Sequence, residues 1–240
     1  MDDYGRFIGN YIGYTDQPCG MEYKLGRQPA LEALGPKANQ LILDFGCGPA
    51  VNGPELGGKE YGADVVGIDI SEEELAVARQ RDPDSIYLHY DGRNLAEAIK
   101  AECRGRKLDG IIATFSVCTV PDKNLGPILR EMRQILKPGG RLVIAEPNLE
   151  QAMGVKYHDL HYHAQPGAKS GDHVTVTLGT GETATTLYHD IYRTRADYRR
   201  LLLAAGFSHV KMSTPRPRSR NLFAWWRAAL TPPFLIIVAE

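Results

Sequence analysis

The chain has 240 residues, of which 43% are hydrophobic and 24% are charged, a composition typical of a soluble globular protein and unlike that of a disordered or fibrous chain. Its 28 basic and 29 acidic residues leave a net charge of −1, which favours neither a nucleic acid nor an anionic membrane as partner. The apolar run 234–239 is far shorter than the roughly 18 to 20 residues of a membrane-spanning helix. The acidic start of the chain fits no secretory or transit signal, so we predict a cytoplasmic protein.

Strand and helix patterns alternate through the first two thirds of the chain. Short apolar segments predict five buried parallel strands, at 40–45, 64–70, 85–90, 108–115 and 141–145. Helical patterns separate the later strands, at 71–81, 94–103 and 125–136. Alternation of this kind predicts an α/β fold, a Rossmann-like sheet with helices on both faces.

Two of these helices carry clear end signals. Ser71 stands three residues before Glu74, the spacing of a capping box that begins a helix. The third helix shows an apolar face and is stopped by Pro138-Gly139-Gly140, and that face consists of Leu125, Ile128, Leu129, Met132, Ile135 and Leu136.

The pattern changes after Pro147. Segments 173–178 and 183–192 predict a hairpin, and an apolar face from Tyr198 to Ala205 predicts a helix that ends at Gly206. Two last strands follow at 210–213 and 234–239. Because no crossover helix is evident between them, we expect the final strand to be antiparallel to its neighbour.

Glycines and acids follow the predicted strands at chemically informative places. Gly46 and Gly48 come directly after the first strand, where a turn lets a ligand approach the backbone. A dinucleotide fingerprint would need a third glycine at position 51, which holds Val51, and this disfavours NAD. Asp69 ends the second strand, where an acid accepts hydrogen bonds from ribose hydroxyls or caps the next helix. Asp91 ends the third strand and could meet an adenine amine.

These segments, taken in order, resemble class I S-adenosylmethionine-dependent methyltransferases. The motifs are Leu-Asp-Phe-Gly-Cys-Gly-Pro, Val-Gly-Ile-Asp-Ile-Ser, Tyr-Asp-Gly and Leu-Lys-Pro-Gly-Gly-Arg-Leu-Val-Ile-Ala-Glu-Pro. The resemblance implies a seven-stranded sheet with an antiparallel last strand, S-adenosylmethionine as cofactor and S-adenosylhomocysteine as product. Ala50 departs from the family pattern, which has a third glycine there.

The resemblance also implies a role for each matching residue. Gly46 and Gly48 would pass under the methionine part of the cofactor, with Asp44 supporting their loop. Asp69 would hold the ribose, and Ile70 would pack on the adenine. The remaining cofactor-binding candidates are Asp91 and Gly92, at the adenine edge, and Phe115, after the fourth strand.

The acceptor is expected to be a small molecule. The Asp/Asn-Pro-Pro-aromatic sequence of base-modifying N-methyltransferases is absent after the fourth strand, and so are acidic metal ligands. We therefore predict methylation of an N or O atom of a small, planar metabolite, as in secondary metabolism. Family members of this size shape the acceptor site with lids, for which the candidates here are an N-terminal lid and an insertion after strand five.

The insertion is rich in histidine and tyrosine. A general base, if the acceptor needs one, is expected from His158, His161 or His189, while the alternative is that these are satisfied surface or core histidines. His158, His161 and His163 lack an evident fourth ligand, so no metal is predicted. Acceptor contacts are expected from the aromatic residues Tyr4, Tyr11, Tyr14, Tyr157 and Tyr188.

A single methyltransferase domain is expected to span 1–240. Its parts are a lid at 1–39, a cofactor-binding core at 40–147, an acceptor-site insertion at 148–193, and a C-terminal helix and strands at 194–240. Two other functions stay open, an NAD-dependent oxidoreductase and a non-catalytic domain that keeps the cofactor fold, which Ala50 would favour. The sequence leaves the acceptor and the oligomeric state open.

Overall fold

A seven-stranded sheet forms the centre of the protein. The computed structural model describes residues 20–163, 165, 167–181, 184–217 and 226–240, without the side chains of 185 and 187–189. The strands follow one another across this sheet in the order β3-β2-β1-β4-β5-β10-β9. They are β1 (Leu41–Phe45), β2 (Asp64–Asp69), β3 (Ile86–His89), β4 (Leu108–Thr114), β5 (Leu136–Pro147), β9 (Val210–Ser213) and β10 (Phe234–Ala239).

The last strand of the chain runs against its neighbours. Strands β1 to β5 pair in parallel, whereas β10 pairs antiparallel with both β5 and β9. Every residue of β1 is buried, as expected of a central strand covered on both faces. The predicted fold class, with its antiparallel last strand, is confirmed.

Helices connect the strands and cover the sheet. They are α1 (Gln28–Leu34), α2 (Gly53–Gly57), α3 (Glu72–Arg81), α4 (Leu95–Cys103), α5 (Asp122–Ile135), α6 (Leu149–Ala152), α7 (Arg195–Ala204) and α8 (Trp226–Leu230). One half of the predicted capping box at the start of α3 is present, since the Ser71 hydroxyl accepts from the Glu74 backbone N–H at 3.3 Å, whereas the Ser71 N–H donates to Asp69 at 3.0 Å.

The junction between α5 and β5 differs from the prediction. The helix ends at Ile135, and Leu136 already belongs to a strand, where it pairs with Leu108. Leu136 is buried in either arrangement, so its spacing in the sequence did not reveal the change. Strand β5 continues through Pro138-Gly139-Gly140, where its pairing with β4 shifts in register, and Gly139 has φ +76°.

A second, smaller sheet forms after β5. Strands β7 (His173–Leu178) and β8 (Thr185–Ile191) make the predicted hairpin, and β6 (Leu160–His163) adds a strand that the sequence reading missed. Its buried residues pack with Met21 and Phe234 in one apolar cluster. The small sheet is thus attached to the main sheet beside the end of β10.

Candidate functional site

A large cavity lies at the carboxyl ends of the parallel strands. It has a volume of about 500 Å³, within the range of small-molecule sites. Its walls include the last residues of β1, β2 and β4 and the segment that directly follows β3. Among the lining residues are Phe45, Gly46, Gly48, Asp69, Ile70, Tyr90, Asp91, Gly92, Thr114, Phe115 and Ser116.

The loop after β1 has a backbone that depends on glycine. Gly46 has φ +67°, and a Cβ placed on it would lie 2.3 Å from the Cβ of Ser116. The Ser116 hydroxyl donates to the carbonyl of Phe45 at 2.8 Å, which holds the β4 segment against the loop. A side chain at position 46 has no room, and the bare backbone therefore faces the cavity.

Ala50 adopts a backbone conformation that glycine favours. Its φ is +60°, the left-handed region that a glycine would occupy at no steric cost. The methyl is fully buried in an apolar cluster with Cys47 and Leu75. The residue departs from the glycine pattern without opening the loop.

Asp69 connects the glycine loop to helix α3. One carboxylate oxygen accepts from the Gly48 N–H at 2.8 Å, and the other accepts from the Ser71 N–H at 3.0 Å. Each oxygen of an ionised carboxylate can accept more than one hydrogen bond, so these two bonds do not by themselves exclude ribose hydroxyls. The capping and ribose-binding interpretations are compatible in this geometry.

The adenine side of the cavity has an apolar wall and a polar edge. Ile70 lines the cavity with 65% of its surface exposed, an unusual state for isoleucine. Asp91 accepts from the Arg93 N–H at 3.0 Å, and Gly92 follows with φ +86°. The apolar surface suits the face of a planar base, and the carboxylate suits its amine.

Asp44 lies beneath the cavity and does not line it. It is fully buried on β1, and the side-chain amide of Asn52 donates to it at 3.1 Å and to the Thr114 hydroxyl at 3.0 Å. The Arg27 guanidinium donates to the same Asn52 side chain at 3.3 Å. Burial raises the pKa of Asp44 to about 7, against the hydrogen bond from Asn52. These contacts connect β1, β4 and the segment after the glycine loop.

Phe115 follows β4 in a strained conformation. Its φ is +54°, and its N–H donates to the carbonyl of Ala145 at 2.8 Å. The ring packs edge-on against Phe234, with 4.9 Å between ring centroids. It lines the large cavity and also a second, smaller cavity beside it.

Together these residues fit the adenosyl cofactor that the motifs imply. The bare backbone at Gly46 admits close approach, Asp69 offers acceptors for ribose hydroxyls, and Ile70 offers an apolar wall for adenine. All eight predicted cofactor-binding residues lie at the cavity or, for Asp44, directly behind it.

Two of the histidines predicted as bases, His158 and His161, do not line the large cavity. His158 is exposed ahead of β6. His161 lies half-buried on β6, with its ring 4.1 Å from that of His163, and burial and this neighbour lower its pKa. Leu160 and Tyr162 line the small cavity, so strand alternation turns His161 to the opposite face of β6. The placement of His161 gives no support to a role as base.

Of the tyrosines predicted to contact the acceptor, only Tyr157 has a side chain among the described residues. Tyr157 is buried, and its hydroxyl donates to the carbonyl of Thr231 at 2.7 Å, so the structure places it in the core and not at a cavity wall. Tyr4, Tyr11 and Tyr14 lie outside the described residues, as do the side chains of Tyr188 and His189. The roles of these five residues stay predictions.

Several lining residues were not singled out from the sequence. Tyr90 packs edge-on against Phe45, with 5.9 Å between ring centroids, and burial raises its pKa to about 12. Its place directly before Asp91 at a strand end was the available signal. Glu74, Arg93 and Asn124 also line the cavity and carry no comparable local signal.

The described ranges contain neither a cluster of metal-ligating side chains nor a membrane-spanning helix. Among these residues no group of three or more His, Cys, Asp or Glu side chains is placed to hold a metal ion. No described helix combines the length and apolar character needed to cross a membrane.

Sequence comparisons match this part of the chain to known methyltransferases. Residues 43–144 match the family described as "Methyltransferase domain". A demethylmenaquinone methyltransferase of Beutenbergia cavernae is 32% identical over 127 residues, which are 53% of this chain and 48% of that relative. The chain spans only part of this relative and of two other curated relatives, between 40% and 54% of their length.

Two further similarities extend over almost the whole chain. A dTDP-3-amino-3,6-dideoxy-α-D-glucopyranose N,N-dimethyltransferase of Streptomyces fradiae is 26% identical, and the alignment covers 92% of this chain and 91% of that one. The crystal structure of an S-adenosylmethionine-dependent methyltransferase from Mesorhizobium loti superposes with a TM-score of 0.61 at 20% identity, covering 92% of this chain and 98% of that one. At 20% identity, the similarity to the Mesorhizobium loti structure shows a shared fold and no more.

Proposed function

We propose that this chain is a class I S-adenosylmethionine-dependent methyltransferase and that it transfers a methyl group from S-adenosylmethionine to an N or O atom of a small, planar metabolite. The observation that carries the proposal is the cavity at the strand ends, where Gly46, Asp69 and Ile70 offer the three surfaces that an adenosyl group needs.

The chain's part in the reaction is mainly to position and to enclose. S-adenosylmethionine, when bound, supplies a methyl group already activated by the sulfonium charge. The glycine loop and Asp69 hold the methyl donor in a fixed position. Alignment of the acceptor with the methyl group lowers the activation barrier, because the two reactants have already lost their relative motion on binding. Phe115 and Ser116 form the wall beside the loop and exclude water there.

A small-molecule acceptor is supported by the residues after β4. Phe115-Ser116-Val117 replaces the sequence of base-modifying enzymes and carries no acidic metal ligand. The relative with near-complete coverage is, by its name, an N,N-dimethyltransferase of an amino sugar, and another relative is named an O-methyltransferase. The amino sugar in the first name is a small molecule, and the proposal takes this class of acceptor for the present chain.

Calorimetric titration with S-adenosylmethionine, S-adenosylhomocysteine and NADH tests the cofactor. We expect the first two to bind and NADH not to bind, because Val51 replaces the third glycine of the dinucleotide pattern. Binding of NADH alone would instead establish the oxidoreductase alternative.

Turnover is tested by incubating the protein and S-adenosylmethionine with a cell extract. Mass spectrometry should then detect products heavier by one methylene, about 14 Da, together with S-adenosylhomocysteine. Cofactor binding without any such product would favour the non-catalytic alternative.

A further inference from the structure

A small cavity lies next to the large one and has a different character. Its volume is about 30 Å³, which is the share of one water molecule in the liquid. Phe115 is the only described residue that lines both cavities. The walls are mostly apolar, and two carboxyl groups, those of Glu22 and Asp190, stand among them.

Glu22 is buried there without a partner among the described residues. Only 7% of its surface is exposed, and its carboxyl forms no hydrogen bond or ion pair with any of them. Burial raises the pKa of Glu22 to about 7, although the charge of Arg27 opposes this. An ionised carboxylate left in an apolar cavity costs several kcal/mol, so a donor that reached it would be bound strongly.

The surroundings contain more acid than base. Asp159 lies near Glu22 and raises its pKa further, while Glu146 and Asp190 flank the thiol of Cys118. Burial, with Asp190 adding to it, raises the pKa of Glu146 to about 8.

The two buried guanidinium groups nearby are held by other partners. Arg193 donates to Asp122 at 2.7 Å and to the Val117 carbonyl at 3.0 Å. Arg27 donates to Asn52 and to the carbonyl of Val51. None of these contacts involves Glu22, whose carboxylate is the negative group that a cation in the cavity would meet.

We propose that Glu22 in the small cavity binds the protonated amino group of the acceptor, so that the acceptor is a small amine whose amino group is carried on a saturated carbon and is protonated at neutral pH. This rests on the proposed function, because it specifies the substrate of that site. An ammonium group is about the size of a water molecule and fits the volume. Since the ring of Phe115 stands between the two cavities, the amino group serves as an anchor that orients the rest of the acceptor toward the large cavity.

Calorimetry with matched pairs of probes tests the preference for amines. The pairs are benzylamine with benzyl alcohol, and phenethylamine with 2-phenylethanol, titrated into the protein with and without S-adenosylhomocysteine. We expect each amine to bind at least about 10-fold more tightly than its alcohol, the effect of a charge-assisted hydrogen bond. Amines that bind no better than their alcohols would overturn the proposal.

A second readout needs no variant. With its pKa raised to about 7, Glu22 is partly protonated at neutral pH, and a bound ammonium group keeps it ionised, so amine binding should release protons. Titrations in phosphate and in Tris, which differ in ionisation enthalpy, measure this release. Amine binding with no proton release contradicts the assignment to Glu22.

The variant Glu22→Gln keeps the shape and removes the charge. We expect it to lower amine affinity at least about 10-fold while S-adenosylhomocysteine affinity stays within twofold of wild type. Glu32→Gln, the same change on the exposed face of α1, should leave both unchanged. Equal amine affinity in Glu22→Gln and wild type removes Glu22 from the site. Absence of S-adenosylmethionine binding would count against the proposed function alone, because amine binding to Glu22 can still be measured without the cofactor.

Discussion

Asp69 shows how one side chain can serve the fold and the ligand together. Its two carboxylate oxygens accept from the N–H groups of Gly48 and Ser71, so it fixes the glycine loop and the start of α3 relative to each other. Asp91, at the next strand end, accepts from one backbone N–H, that of Arg93. The two acids therefore differ in how much structure depends on them.

Asp69→Ala is expected to weaken S-adenosylhomocysteine binding by about 1.5 to 3 kcal/mol, the value for hydrogen bonds to a charged acceptor. Asp91→Ala should cost less, because its carboxylate meets only the edge of the base. Calorimetry measures both affinities. Asp84→Ala, in the exposed turn before β3, is the control and should bind as wild type does. A loss at Asp91 equal to or greater than that at Asp69 would reverse our ranking.

At the scale of elements, the cavity depends on how closely the β1 loop and the β4 end approach. The contact is made at Gly46, whose missing side chain lets Ser116 lie against the loop and bond to Phe45. Ser116 cannot move aside easily, because the clash would involve its Cβ and not a flexible tip.

Gly46→Ala should destabilise the protein by about 2 to 5 kcal/mol, the sum of a left-handed alanine and an overpacked contact. Gly105→Ala is the matched control. It has φ +73° but open space around its Cβ, so only the backbone cost of about 1 to 2 kcal/mol is expected. Urea unfolding gives both values, and calorimetry should show S-adenosylhomocysteine binding lost only at Gly46. Equal destabilisation at the two sites would show that the Ser116 contact does not matter.

At the scale of the whole molecule, buried carboxyl groups make stability depend on pH. Burial raises the pKa values of Glu22 and Asp44 to about 7 and that of Glu146 to about 8. In the unfolded chain these groups ionise at their ordinary values of 3.8 to 4.5. The folded state therefore holds more protons between about pH 4.5 and 8, and its stability falls as pH rises through that window.

We expect the free energy of unfolding in urea to fall by several kcal/mol between pH 5 and pH 8, about 2 to 3 kcal/mol for each of the three carboxyls. Glu146→Gln removes one of the groups responsible, and its side-chain oxygen can still accept from the Val117 N–H. This variant should match wild type at pH 5 and exceed it at pH 8. Glu102→Gln, on the exposed part of α4, should follow the wild-type curve. Stability that rises from pH 5 to pH 8 in wild type would contradict the burial of these carboxyls in their protonated form.

The order of strands and helices, the glycine loop and the acids at the strand ends follow from the sequence by itself. These features depend on local spacing, because a parallel sheet brings successive strand ends to one edge whatever the rest of the chain does. Local spacing could not reveal the end of α5, since Leu136 is buried both in a helix and in a strand. Nor could it reveal that Tyr157 bonds to Thr231 in the core.

Only the tertiary structure decided what surrounds the acceptor side. Glu22, Asp190 and Phe115 come from three distant parts of the chain and meet only after the small sheet has packed on the large one. Composition drew attention to the histidines of the insertion, but the two-residue period of β6 turns His161 away from the cavity that Tyr162 lines. Which face of a short strand is buried depends on its packing partner, and that partner is far away in the sequence.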